Sequence, residues 1–146
     1  MANINVFIED IQFTLKDKKL LKNWIKQIII AEDKKLNELN FIFCSDEYLH
    51  TINLQFLNHD TYTDIITFDR SENFLEISGD IYISIERLID NSRKFSVSFL
   101  HELYRVIAHG VLHLLGFSDK ESKEKEIMTL KENECLLMWD KLKSST

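Results

Sequence analysis

The apolar positions divide the chain into stretches of strand-like alternation and stretches of helical spacing. Asn3 to Ile8 alternates, with Ile4, Val6 and Ile8 on one face and Phe7 free to meet a second layer, which predicts a strand. Leu20, Leu21, Trp24, Ile25, Ile28 and Ile29 recur at helical spacing, and Thr14, with Asp17 three residues on, is the expected N-cap of that helix. LNFIFC, residues 39–44, is short, apolar and aromatic, and predicts a second strand. Ser45 or Asp46 then caps a short helix carrying Leu49, Ile52, Asn53 and Phe56. LNHDTYTD, residues 57–64, is polar and turn-like. Ile65 to Phe68 is a third strand, dense in β-branched residues. A polar turn over 69–73 separates it from a fourth strand over 77–84 that brackets Gly79.

The rest of the chain reads as helix. Ser84 or Glu86 opens a helix that holds Leu88 and Ile89 and ends between Asn91 and Lys94. Ser96 or Ser98 caps the next, which carries Phe99, Leu103, Val106, Ile107, Val111, Leu112 and Leu115. It is apolar on more than one side, so it is expected to be the central, most buried helix. A charged helix then runs from about Glu121 to Leu142, with Ile127, Leu130, Leu137 and Trp139 as its packing face. The expectation is an α+β fold. Residues 1–146 form a single domain whose four-stranded mixed sheet is packed with four or five helices, and the central and C-terminal helices cover the sheet.

Composition narrows the picture. A length of 146 residues suits one core. Proline is absent, and glycine stands only at Gly79, Gly110 and Gly116, so each glycine is expected where backbone or space matters. The net charge of -6 excludes a protein-wide basic field for nucleic acid, although a local patch is compatible with it. Lys16, Lys18, Lys19, Lys22 and Lys26 decorate the first helix, either as a solvated face or as a weak docking patch for a polyanion. Cys44 and Cys135 are far apart in apolar surroundings and read as buried thiols rather than a disulfide or a metal pair. No signal peptide is evident and no apolar run reaches membrane length, so the expected location is cytoplasmic, with no membrane partner.

The candidate chemistry is concentrated in AHGVLHLLGFSD, residues 108–119. His109 and His113 stand at i and i+4, one turn apart on one helical face. Gly116 offers an inexpensive left-handed exit from the helix, after which Asp119 can swing back toward the two rings. Two nitrogens and one carboxylate oxygen leave a fourth tetrahedral corner for water, as in catalytic metal sites. The alternative is a pair of hydrogen-bonded core histidines, but two imidazoles in apolar surroundings desolvate badly without a shared partner. One divalent metal is expected. Zinc is the first choice, and nickel, manganese and iron are compatible with the donors. The spacing HxxxHxxGxxD also matches the extended zinc-peptidase helix, but Gly110 replaces the glutamate that acts there as base. Glu102, two turns before His109 on the same face, either orients a ligand or is a solvated glutamate. Arg105, one turn before His109, either reaches a phosphate or pairs with Glu102 or Glu134.

HGVLHLLGFSD resembles the bacterial YbeY family of metal-dependent endoribonucleases, also described as rRNA maturation factors, whose usual signature is HGxLHLxGYDH. His109 and His113 fall on the first two family ligands, and Asp119 on the third, usually a histidine. A carboxylate there makes a harder site and moves preference slightly away from zinc. TDIITF, residues 63–68, looks like the family's PTDVLSFP segment, GDIYIS at 79–84 like its GDIxIS strand, and Phe99 to Leu103 like its approach to the metal helix. Nearly the whole chain is covered in order. One departure stands out: the family pattern LNxxYRxKD reads here from Ile52 to Asp60, with Leu57 at the arginine and His59 at the lysine. The missing arginine removes a bidentate phosphate clamp, for which His59 or Arg105 could substitute.

The resemblance implies a single-strand-specific endoribonuclease acting in 16S rRNA 3′-end maturation and ribosome quality control. Its expected partners are an rRNA precursor and a ribosomal subunit or ribosome-associated protein, with no DNA. The metal would lower the pKa of its water and polarise a phosphoryl oxygen, and attack could come from that water or from the ribose 2′-OH. Asp64, Glu102 and Arg105 are the candidate catalytic residues, and His109, His113 and Asp119 the candidate metal ligands. Asp64 either orients substrate or caps its own turn. Two other readings compete: a metal-dependent hydrolase of another substrate, such as a peptidase, and a non-enzymatic ribosome-associated factor with a structural metal.

Overall fold

Four strands pair in the order β1-β2-β4-β3 in the structure, a computed structural model that describes residues 3–145. β1 (Asn3–Glu9), β2 (Lys35–Cys44) and β4 (Glu76–Ser84) are parallel, and β3 (Ile65–Asp69) runs antiparallel to β4 at one edge. The sheet is therefore mixed, and with five helices around it the chain forms a single α+β domain. Alternation assigns the two faces. Ile4, Leu39, Phe41, Phe43, Ile81 and Ile83 point into the larger core, beneath α1 (Lys18–Ala31) and α4 (Phe99–Leu114). Ile42, Cys44 and Ile66 point the other way, against Leu49 and Ile52 of α2 (Asp46–Leu57).

Three serines begin three helices. The side chains of Ser45, Ser84 and Ser98 accept hydrogen bonds from the backbone N–H groups of Tyr48, Arg87 and His101, capping α2, α3 (Ile85–Lys94) and α4. The first helix departs from expectation. Thr14 is exposed and does not cap it; α1 starts at Lys18 after a left-handed Asp17 whose side chain makes no cap. Leu15 is buried in the core and Phe13 packs against it, which keeps this stretch extended, and the Asp17 carboxylate accepts from Lys143 instead. Lys16, Lys18, Lys19 and Lys26 are exposed.

The last helix also differs. α5 (Ser122–Ser144) packs against α4 and α1 as an outer layer, not on the sheet as expected. Its buried stripe is Met128, Glu132, Cys135 and Trp139, whereas Ile127, Leu130 and Leu137 of the expected face are exposed. Two contacts select this rotation. Trp139 packs on Tyr104 and Trp24 at ring-centroid distances of 4.2 and 5.3 Å, and the Trp24 indole N–H donates to the Cys135 carbonyl at 2.8 Å. Glu132 meets charged partners on α4, described below. Local apolar content loses to this pair of anchors.

α4 is the central helix, buried from Glu102 to Leu114 on most sides. It crosses β3 and β4 closely because Gly110 has no side chain. A Cβ there would lie 2.9 Å from the Ile65 Cδ1 and 3.0 Å from the Ile81 Cγ2.

Cys44 and Cys135 are both free and buried, and burial, helped by neighbouring carboxylates, pushes each thiol up to about 12. Neither is a thiolate near neutral pH. Ellman's reagent at pH 8 is expected to titrate both thiols only after denaturation; rapid reaction with the native protein would contradict this packing.

Candidate metal centre

The helix α4 delivers His109 and His113 on one face, and the chain then has to reverse. It does so through a complete Schellman turn: the Phe117 N–H donates to the Leu112 carbonyl and the Gly116 N–H to the His113 carbonyl, both at 3.0 Å. Gly116 occupies the left-handed position at φ 105°. The reversal returns Asp119 to the two rings. Its carboxylate oxygens lie 3.3 Å from His109 Nε2 and 3.5 Å from His113 Nε2, and the two Nε2 atoms are 3.0 Å apart.

These three residues could hold a metal ion, since one donor atom from each falls within 4.8 Å of the others. The donor set fits a tetrahedral ion. Ligand atoms about 2.0–2.1 Å from a common centre lie roughly 3.3–3.4 Å from one another, close to the spacing here. Both imidazoles present the same ring atom, and the carboxylate supplies an anionic third donor.

A residue outside the expected site set organises the ligands. Glu132 of α5 is buried, and one carboxylate oxygen accepts from His109 Nδ1 at 2.7 Å. This bond puts the proton on Nδ1 and leaves the Nε2 lone pair facing the centre. The other Glu132 oxygen accepts from Arg105 at 2.8 Å, and Arg105 also donates to the Asn133 side chain at 2.8 Å. The ion pair of Arg105 is thus with Glu132, not with Glu102 or Glu134. Burial works against charge on His109, but the Glu132 hydrogen bond and the surrounding carboxylates outweigh it and raise the ring's pKa; burial and the neighbouring His109 lower that of His113.

Asp64 and Glu102 lie in the same cleft, a pocket of about 520 Å³ bordered also by His101, Arg105, His109 and Asp119. Asn91 of α3 ties the two carboxylates together, donating to Asp64 at 3.2 Å and more weakly to Glu102 at 3.5 Å. Burial raises the pKa of both, and the Asp64 charge adds to the rise at Glu102. Of the 57–64 segment only Asp64 borders the cleft. Leu57 and His59 are exposed and do not border the cleft, and Arg105 is bound to Glu132 and Asn133, so neither His59 nor Arg105 stands free in place of a phosphate clamp. Gly110 faces Ile65 and Ile81, which leaves no room for the glutamate of a peptidase helix.

Glu132 is legible in retrospect as a glutamate on the helical stripe of Met128, Cys135 and Trp139. Asn91, His101 and Phe95, which also border or brace the cleft, carry no comparable signal.

A carboxyl whose pKa is higher in the folded state favours folding while protonated. That contribution is complete below its ordinary value of 4.5 and is lost as pH rises through the folded value. In the metal-free protein, Glu102→Gln is therefore expected to raise the thermal midpoint at pH 7 by a few degrees, with the gain shrinking toward pH 4. Calorimetry across that range checks it; a lower midpoint at pH 7 would refute the sign.

The comparisons with known proteins agree over almost the whole chain. The family model described as Endoribonuclease YbeY matches residues 4–140. The chain is 52% identical over 132 residues to Endoribonuclease YbeY of Amoebophilus asiaticus, covering 90% of each protein. It is 47% identical over 139 residues to Endoribonuclease YbeY of Flavobacterium johnsoniae, covering 95% of this chain and 97% of that one. The solution structure of TM1509 from Thermotoga maritima superposes with a TM-score of 0.64 at 31% identity, over 96% of this chain and 93% of that one. With a matched family model spanning both the sheet and the two-histidine helix, the chain belongs to the YbeY family of endoribonucleases.

Proposed function

We propose that the protein is a single-strand-specific endoribonuclease that uses one divalent metal ion held by His109, His113 and Asp119. Its proposed role is 16S rRNA 3′-end maturation and ribosome quality control in the cytoplasm, on or beside a ribosomal particle. The observation that carries the reading is the convergence of two imidazole nitrogens and one carboxylate, with Glu132 aiming His109 from behind. Zinc suits two nitrogens and one oxygen, and the carboxylate keeps manganese, iron and nickel competitive. When bound, the metal supplies Lewis acidity, which draws charge from a phosphoryl oxygen and makes water a stronger acid near neutral pH.

The chain's own residues then divide the remaining work. Asp64 and Glu102 handle protons. Each keeps one carboxylate oxygen clear of Asn91, and burial brings their ionisation nearer neutrality, where a group can both accept and return a proton. The two titrate as a pair because they share one cleft. One takes the proton of the attacking hydroxyl, from water or the ribose 2′-OH, and the other protonates the leaving 5′-oxygen. Arg105 holds Glu132, and through it His109, and its positive charge offsets part of the cleft's acidity. The peptidase alternative is disfavoured by Gly110, whose side-chain position is occupied by the sheet.

Metal analysis combined with cleavage of a structured rRNA precursor, with casein as a control, tests the reading. His113→Ala is expected to lose the bound metal and to reduce RNA cleavage by more than about 100-fold, with casein untouched throughout. Undiminished cleavage by this variant would sink the mechanism. Unfolding on chelation, without activity in the loaded protein, would favour a structural metal. Glu132→Gln keeps the shape but weakens the acceptor, and a loss of about 10- to 100-fold in metal affinity is expected by competitive chelator titration.

A further inference from the structure

The cleft is acidic. Asp64, Glu102, Asp119 and Glu132 all border it, and the one guanidinium among them, Arg105, is bound to Glu132 and Asn133. Leu57 stands at the position of the family arginine, exposed and without charge. A chain of net charge -6 with this cleft has little electrostatic attraction for a polyphosphate strand outside the metal itself. Affinity for single-stranded RNA has to come substantially from another source.

Phe95 answers to that need. It forms part of the wall of the same cleft, yet 57% of it is exposed, and neither buried cluster includes it. Among the described residues its ring has no aromatic partner, and the one contact of note is the Lys94 ammonium, 5.7 Å from its centroid. Its backbone is nevertheless fixed. Phe95 caps the C-terminus of α3 with its N–H on the Asn91 carbonyl at 2.9 Å. Ser96 follows in the left-handed region at φ 55°, and the Val97 N–H returns to the Ser92 carbonyl at 3.0 Å. A rigid turn thus presents a large apolar ring to solvent at the lip of an acidic cleft, with a cation beside it. Asn91, which begins this turn, is also the residue that ties Asp64 to Glu102, so the ring is held in register with the proton-handling groups.

We propose that Phe95 is a nucleobase-stacking platform that seats the base of a nucleotide flanking the scissile phosphate of single-stranded RNA. The proposal rests on the endoribonuclease reading above. A base in a duplex has both faces covered, so the platform selects unpaired strands. It does so with little regard to sequence, because every base offers a π face. The Lys94 ammonium lies where it can meet a backbone phosphate of the same nucleotide.

Phe95→Trp places a reporter at the platform, and the native Trp24 and Trp139 are 0% and 6% exposed, so their emission is insulated. The probe is a nuclease-resistant 2′-O-methyl phosphorothioate oligonucleotide of mixed sequence. The expected result is saturable quenching of the new tryptophan, absent when the same backbone carries abasic residues. Phe95→Ala is expected to raise KM for single-stranded RNA roughly tenfold, and Phe95→Tyr to restore it. Absence of quenching, equal quenching by the abasic strand, or an unchanged KM in Phe95→Ala overturns the platform. Cleavage by the unmodified protein is scored separately. Cleavage without quenching overturns the platform alone. Base-dependent quenching without cleavage supports the platform as a strand-binding site and overturns the endoribonuclease reading.

Discussion

One buried carboxylate joins the last helix to the central one. Glu132 accepts from His109 at 2.7 Å and from Arg105 at 2.8 Å. Without those partners a charge in that position would be strongly unfavourable, and with them it fixes the rotation of α5, the tautomer of His109 and the posture of Arg105 together. The aromatic contacts of Trp139 with Tyr104 and Trp24 act in the same direction from the other end of the interface. The C-terminal helix is therefore part of the candidate metal centre even though it supplies no proposed ligand.

The cleft built this way is acidic. Carboxylates outnumber free cations, which suits a divalent ion and repels a bare phosphate backbone. A divalent ion held by the proposed ligands would offset part of that negative charge. Burial, not solvent, sets the ionisation of Asp64 and Glu102, and Asn91 keeps them adjacent. The same turn that carries Asn91 carries Phe95, so the proposed stacking ring and the proposed proton-handling pair share a single short helix end.

Much of the architecture was readable in the chain. Strand alternation, the capped starts of α2, α3 and α4, each expected at one of two positions and made by Ser45, Ser84 and Ser98, and the all-round apolar character of α4 each follow from interactions between near neighbours, and local rules capture those. The two-histidine turn was equally legible, because i, i+4 spacing and a glycine exit are local geometry. The start of α1 and the buried face of α5 were not. Thr14 had the chemistry of a cap, but burial of Leu15 held the chain extended; Ile127, Leu130 and Leu137 had the hydrophobicity of a core face, but Glu132 and Trp139 turned the helix away from them.

By itself, the sequence determined the α+β class and the residues able to approach a metal ion, since these depend on periodicity and spacing along one chain, and its motifs carried the resemblance to the family. Only the tertiary structure decided that Glu132 stands behind His109, that Arg105 is already engaged, that Asn91 couples Asp64 to Glu102, and that Phe95 is left uncovered at the lip. The hydrogen bonds among them join residues 11 to 27 positions apart, on separate segments of the fold, and are fixed by desolvation and hydrogen-bond satisfaction across interfaces that no local pattern encodes.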